Sequence, residues 1–158
     1  CEEYNTAIDI WSMGCIFAEL LGRKPLFPGK DYIHQMNMIV QILGSPEEED
    51  LLFIQSPKAR AYIRARPHAP KARFDKMYPE ANPMAIDLLE KMLVFNPNRR
   101  ITVEQAMKHP YLSSLHDPAV EPVTTVPLDF EFEDADLKED QLRSKVLEEI
   151  MSFAVNKR

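Results

Sequence analysis

Few side chains in this 158-residue chain are placed to do chemistry, and the clearest of them is a carboxylate. Asp9 stands at the first turn of Ile8-Asp9-Ile10-Trp11-Ser12-Met13-Gly14-Cys15-Ile16-Phe17-Ala18-Glu19-Leu20-Leu21, a stretch that is apolar almost all the way round. A helix of that kind is buried on most sides, and it is too short to span a bilayer. A carboxylate on such a helix must be paired or must accept hydrogen bonds. No cation is close in sequence, so backbone N–H groups are the expected donors. They belong either to its own helix start, where Thr6 and Asp9 have spacing close to a capping box, or to another segment that the helix holds. The pair Asp117 and Glu121 on a proline-rich loop read by themselves as solvated charges, and Arg100 by itself reads equally as a solvated arginine at a helix start or as a buried, paired one. His34, His68, His109 and His116 show no metal-ligand spacing, and no C-x-x-C, H-E-x-x-H or G-x-S-x-G is present.

The elements that position these groups are short helices, divided by thirteen prolines and four glycines. Gly22 is expected at C′ of the first helix. Asp31 is the expected N-cap of a helix to about Leu43, with Ile33, Met36, Ile39, Val40 and Leu43 on one face and Gly44 as its stop. Ser45-Pro46-Glu47-Glu48 has the form of a second cap, with an S-x-x-E box. A basic helix is expected over 56–66 around Ala59, Tyr62 and Ile63, and irregular chain over 67–82. Asn82-Pro83 opens a helix with the face Met84, Ile86, Leu88, Leu89, Met92 and Leu93. Thr102 caps another, with Gln105 at N3. Residues 128–134 alternate with period two. A helix over about 136–154 carries Leu142, Val146, Ile150, Phe153 and Ala154 on one face and is expected to pack on its own domain.

Composition is that of an ordinary globular chain, 45% hydrophobic and 28% charged, which excludes wholesale disorder. A formal net charge of −6 argues against a nucleic-acid binder held by charge. No apolar run reaches membrane-spanning length. Cys1 and Cys15 are the only cysteines. They point to a reducing compartment, cytoplasmic or nuclear, without a disulfide framework. The first residue is not Met, which suggests a fragment or a processed chain.

Asp9-Ile10-Trp11-Ser12-Met13-Gly14 resembles the D-x-W-S-x-G segment of eukaryotic protein kinases. Asn96-Pro97-Asn98-Arg99-Arg100-Ile101 and His109-Pro110-Tyr111-Leu112 resemble two further kinase phrases in the family's order. The long insert at about 45–82, the continuation beyond residue 112, and Leu26-Phe27-Pro28-Gly29-Lys30, Ile42-Leu43-Gly44-Ser45-Pro46 and Lys58-Ala59-Arg60-Ala61-Tyr62 look like the MAP kinases. The resemblance covers essentially the whole chain. It implies a mostly α fold, an incomplete large lobe of the kinase fold, with residues 1–112 in the kinase domain and 113–158 as a C-terminal extension. It also implies that Asp9 binds the backbone of the catalytic loop from a helix built on Trp11 and Gly14. Arg100 would pair with the Glu of an A-P-E segment upstream of Cys1; Arg suits this because its planar fork binds a carboxylate bidentately.

By the same resemblance, Asp117 and Glu121 match an acidic docking patch for upstream MAP kinase kinases and phosphatases, although Val120 stands where the pattern has an acid. Tyr32, Ile33, Met36 and Tyr62 match the lining of a pocket for aromatic motifs. The whole enzyme would transfer the γ-phosphate of ATP, with Mg²⁺, to Ser or Thr before Pro in protein substrates. This chain has no G-x-G-x-x-G, V-A-I-K, H-R-D or D-F-G, so no catalytic residue, metal ligand or nucleotide contact is expected in it. The alternative is a catalytically dead, kinase-derived docking module. The chain by itself is expected to expose Trp11, Ile16 and Phe17 as a sticky patch.

Overall fold

The structure is a computed structural model and describes residues 5–121, 124–125 and 135–155. Its elements are helices. α1 spans Ala7–Gly22, α2 Tyr32–Leu43, α3 Pro57–Arg64, α4 Phe74–Met77, α5 Pro83–Met92, α6 Val103–Met107 and α7 Glu139–Val155. Single 3-10 turns stand at Glu48–Leu51 and Pro97–Arg99. No strand occurs among the described residues. None of the described helices is long and apolar enough to cross a membrane. The chain divides into two compact units, Cys1–His116 and Asp117–Arg158.

Several helix starts follow directly from side-chain chemistry. The Asp31 carboxylate accepts the His34 N–H at 2.8 Å, and Asn82 Oδ1 accepts the Met84 N–H at 2.8 Å with Pro83 at the first helical position. Thr102 and Gln105 complete a reciprocal capping box. Gly44 ends α2 at φ 86°. A Cβ on Gly44 would lie 2.9 Å from the Lys71 backbone nitrogen, so glycine is needed there for both its dihedral and its space.

Other starts and stops differ from expectation. Thr6 makes no side-chain cap; Asn5 Oδ1 takes the Ala7 N–H instead, at 3.0 Å. Gly22 is the last helical residue, and Arg23 adopts the left-handed conformation at φ 58°. What requires glycine at 22 is a close approach, since a Cβ would sit 2.8 Å from the Tyr78 ring. Ser45 caps no helix. Its Oγ and N–H bond the Ala69 N–H and C=O, both at 2.9 Å, and fasten the chain after α3 to the end of α2. Within 67–82, expected to be irregular, α4 forms and buries Phe74. Met84, expected on the inner face of α5, is exposed, and Ala85 takes the inner place.

Two buried clusters form the core of the first unit. One joins Ala18, Leu26, Phe27, Phe74, Tyr78, Leu89 and Leu93; the other joins Ile10, Leu88, Met92 and Ala106. Phe17 packs beside both clusters and meets Tyr111 with ring centroids 5.5 Å apart. α1 packs chiefly on α5, so only Ile10, Gly14 and Ala18 of its residues are buried. Met13, Ile16 and Leu20 are exposed, at 51, 52 and 68%. The helix is therefore covered on one side rather than most sides. Of the expected sticky patch, Ile16 is exposed but Trp11 and Phe17 are half-buried. The alternating stretch 128–134 and the Ala154 side chain lie outside what is described. α7 begins at Glu139 rather than 136, and within it Leu142, Val146, Ile150 and Phe153 are exposed.

α5 is also held from its polar side. His109 is buried; its Nε2 lies 2.8 Å from Asp87 Oδ2, and its Nδ1 accepts the Tyr111 N–H at 3.2 Å. Because Nδ1 accepts, the proton is on Nε2 and is donated to Asp87. Lys91, one turn along, also pairs with Asp87. These bonds, first from Lys91 and then from His109, hold the Asp87 carboxyl below the usual carboxylate range.

Gly14→Ala should destabilise the full-length protein. Alanine gains about 1 kcal/mol of helix propensity, but its Cβ would lie 2.8 Å from Leu93 Cδ2 and 3.1 Å from Met92 Cβ. Overpacking costs about 1–3 kcal/mol, so a net loss of about 1 kcal/mol is expected in denaturant unfolding. A gain would mean that α1 and α5 separate without cost. For Asp87, a depressed folded pKa contributes stability that is present above the unfolded value, about 3.9, and lost as pH falls through the folded value. Asp87→Asn should therefore lower Tm at pH 7 and flatten its decline below about pH 4. An unchanged acid limb would show that the Asp87–Lys91–His109 cluster adds nothing.

Candidate functional site

Of the two adjacent arginines, Arg99 takes the carboxylate and Arg100 takes carbonyls. Arg99 Nη1 donates to Asp50 Oδ1 at 2.9 Å and ties the start of the insert to the Pro97–Arg99 turn. Arg100 Nε and Nη2 donate to the Val94 carbonyl at 3.2 and 2.9 Å, and Nη1 donates to the Ala7 carbonyl. Its guanidinium lies 4.9 Å from the Trp11 ring centroid. Trp11 is stacked on Phe27, with centroids 5.7 Å apart and planes 7° apart. One half-buried cation thus joins the first turn of α1, its aromatic anchor and the chain leaving α5. Burial lowers the Arg100 pKa, an effect opposed by Cys15, and raises that of the Cys15 thiol, an effect opposed by Arg100. The guanidinium remains charged in any case. No carboxylate pairs with it among the described residues.

Arg100 also stands in the wall of a largely apolar cavity of about 360 Å³, with Trp11, Met36, Ile39, Phe53, Ile63 and Phe95. Phe53 and Phe95 meet edge-on at 6.0 Å. Of the four residues expected to line an aromatic-motif pocket, only Met36 lines this cavity. Tyr32 and Ile33 are exposed on the first turn of α2. Tyr62 donates its hydroxyl to Asn37 Oδ1 at 3.2 Å, and Arg66 lies over its ring at 5.2 Å. Phe53 and Phe95 went unsingled in the sequence because each sits in a short apolar run without periodicity. The carbonyls of Ala7 and Val94 leave no residue-type signal at all.

Asp9 is not buried. It lies on the exposed side of α1, one turn before Met13, and its carboxylate makes no hydrogen bond with any described residue. Helical spacing places Asp9, Met13, Ile16 and Leu20 on one stripe. Gly14 lies under Leu93 and Met92, where it lets α1 and α5 close up. Asp117 and Glu121 come together on one turn. Asp117 Oδ1 accepts the Ala119 N–H at 3.0 Å, and Glu121 Oε1 accepts the Asp117 N–H at 3.1 Å. Val120 between them is exposed. Among the described residues, no group of three or more His, Cys, Asp or Glu side chains is arranged to hold a metal ion.

Residues 1–112 match the protein kinase domain. Across 151 residues, 96% of this chain, it is 51% identical to mitogen-activated protein kinase 3 of Arabidopsis thaliana. Over the same length it is 53% identical to extracellular signal-regulated kinase 1 of Dictyostelium discoideum. To the mitogen-activated protein kinase homolog NTF6 of Nicotiana tabacum it is 49% identical over 156 residues, 99% of the chain. It spans 41, 28 and 42% of those three relatives' lengths. By the match over residues 1–112 the chain belongs to the protein kinase domain family, and the relatives it matches at about half identity are MAP kinases.

Proposed function

We propose that this chain is the C-terminal part of the large lobe of a MAP kinase. The whole protein transfers the γ-phosphoryl group of ATP, with Mg²⁺, to Ser or Thr before Pro in protein substrates of signalling in the cytoplasm and nucleus. The observation that carries this reading is the kinase-domain match over residues 1–112, together with about half identity to MAP kinases along nearly the whole chain. No residue of this chain is assigned to ATP or Mg²⁺, since its sequence has no glycine-rich loop, H-R-D or D-F-G. Its contribution is structural.

Asp9 holds the catalytic loop by accepting backbone N–H groups, and Arg100 holds the end of the activation segment through a carboxylate outside the described residues. Two features support these roles. The exposed stripe of Met13, Ile16 and Leu20 ends in a carboxylate with no partner among the described residues, as suits a face that packs and hydrogen-bonds. Among the described residues, the half-buried Arg100 fork has only neutral hydrogen-bond partners. Asp117 and Glu121 form the docking turn for basic segments of kinase kinases and phosphatases. Tyr32, Ile33, Met36 and Tyr62 border the site for aromatic motifs.

The test is phosphate transfer to a Ser-Pro peptide by the full-length protein. Asp9→Asn keeps volume but weakens charge-assisted hydrogen bonds worth about 1.5–3 kcal/mol each. It should lower kcat about tenfold or more and leave docking-peptide Kd unchanged. Equal kcat would leave Asp9 a surface carboxylate. No transfer by the wild type, with docking retained, would establish the catalytically dead module instead. For docking, neutralising Asp117 and Glu121 should weaken a Lys/Arg-rich peptide and flatten its salt dependence. Val120→Asp should strengthen it by about 0.2–1 kcal/mol. Unchanged affinity after neutralising both acids would return them to the solvated surface.

A further inference from the structure

The sequence holds two Ser-Pro steps, Ser45-Pro46 and Ser56-Pro57, and no Thr-Pro step. The fold treats the two differently. Ser45 is half-buried, and its Oγ accepts the Ala69 N–H at 2.9 Å. Four acids follow it at 47–50. A phosphate on Ser45 would break that clasp and meet like charge. Gln55, Ser56, Pro57 and Lys58 are all exposed. Ser56 has extended backbone, with φ −68° and ψ 114°, and residues 54 and 55 before it are irregular. Its Oγ accepts the Ala59 N–H over a long 3.3 Å. Its electrostatic setting is the reverse of that at Ser45. No acid stands in the sequence between Asp50 and Asp75, and Lys58, Arg60 and Arg64 follow Ser56 along α3.

We propose that Ser56 is a phosphoryl-acceptor site for a proline-directed protein kinase, and that the phosphate then caps α3. The site extends the proline-directed transfer proposed for the whole protein to this chain as a substrate, and it rests on that reading where a second copy is the enzyme. In the transfer Ser56 Oγ bonds to the γ-phosphorus of ATP, and the bond from that phosphorus to the β,γ-bridging oxygen breaks. ADP leaves with the electron pair, and the hydroxyl proton passes to the base of the transferring kinase. Entry of Ser56-Pro57 into a substrate groove requires the first turn of α3 to loosen. That breaks the cap bond and the bond from the Arg60 N–H to the Ser56 carbonyl, at 3.1 Å. A helix of eight residues is marginal by itself, so its first turn opens readily. After transfer the phosphate stands at the N-terminus of α3. Backbone N–H groups there lack intrahelical acceptors, and the helix dipole favours negative charge. Arg60, one turn on, adds an opposite charge.

The experiment incubates the full-length protein with ATP and Mg²⁺, alone and with an added proline-directed Ser/Thr kinase, and locates phosphate by peptide mass spectrometry. Modification of Ser56 by the protein alone, at a rate that rises with its concentration, makes a second copy the enzyme. Modification only with the added kinase makes another kinase the enzyme. The added-kinase arm does not need this protein's own activity, so a protein that fails to phosphorylate a Ser-Pro peptide still tests Ser56. Ser56→Asn keeps a strong N-cap and removes the acceptor hydroxyl, so this segment should carry no phosphate. Pro57→Ala keeps the hydroxyl and a good helix former but removes the ring, and should slow modification about tenfold or more. Ser45→Ala should leave the rate unchanged. In the modified protein the backbone amides at the start of α3 should exchange with deuterium more slowly. The proposal is overturned if Ser56 stays unmodified in both arms or if Ser45 takes the phosphate instead. It is also overturned if Pro57→Ala is modified as fast as the wild type, or if the phosphate leaves the exchange of those amides unchanged or faster.

Discussion

The first unit depends on a single cation placed where three parts of the chain converge. Arg100 reaches back across the sequence to the Ala7 carbonyl at the start of α1, bonds the Val94 carbonyl just after α5, and lies over Trp11. Even a half-buried guanidinium is costly unless its N–H groups are satisfied. Here carbonyl oxygens and an aromatic face do this, with no carboxylate among the described residues. That arrangement leaves the residue strongly charged and able to attract an anion, which a closed Arg–carboxylate pair would not be. Arg99, its neighbour, is already committed to Asp50.

Around this joint, packing is set by what is small as much as by what is large. Gly14 lets α1 lie against Leu93 and Met92, and Gly22 lets Tyr78 approach the end of the same helix. The aromatic contacts Trp11–Phe27, Phe17–Tyr111 and Phe74–Tyr78 then fill the space that the close approach defines. On the polar side, buried His109 bridges Asp87 to the Tyr111 backbone. The turn that carries Tyr111 toward Phe17 is thereby fixed to α5. Helix position, ring position and the arginine joint therefore support one another.

A different balance governs the basic segment. α3 is short and rich in charge, and its stability comes from its Ser56 cap, Pro57 at its first position and Ile63 beneath. The Glu48–Arg64 fork is well exposed on both sides, so its net worth to stability is small.

The sequence by itself determined the local features. Asp31, Asn82 and Thr102 cap helices because each carries an acceptor on a short side chain, two or three bonds from its own Cα, within reach of an N–H two or three residues on. Gly44 ends α2 because few other residues accept its dihedral. The helical class and the family were likewise legible, because the motifs that carry them are short and ordered. Tertiary structure alone decided the rest. It left Asp9 exposed and α1 covered on one side, because how much of an apolar helix is buried depends on how many neighbours reach it. Gly22 became a close contact rather than a cap, because Tyr78 is far away in sequence. Ser45 went to Ala69 instead of its own helix, and Arg100 went to two carbonyls. A backbone oxygen has the same chemistry at every residue, so no pattern of side chains can announce which one a distant arginine will find.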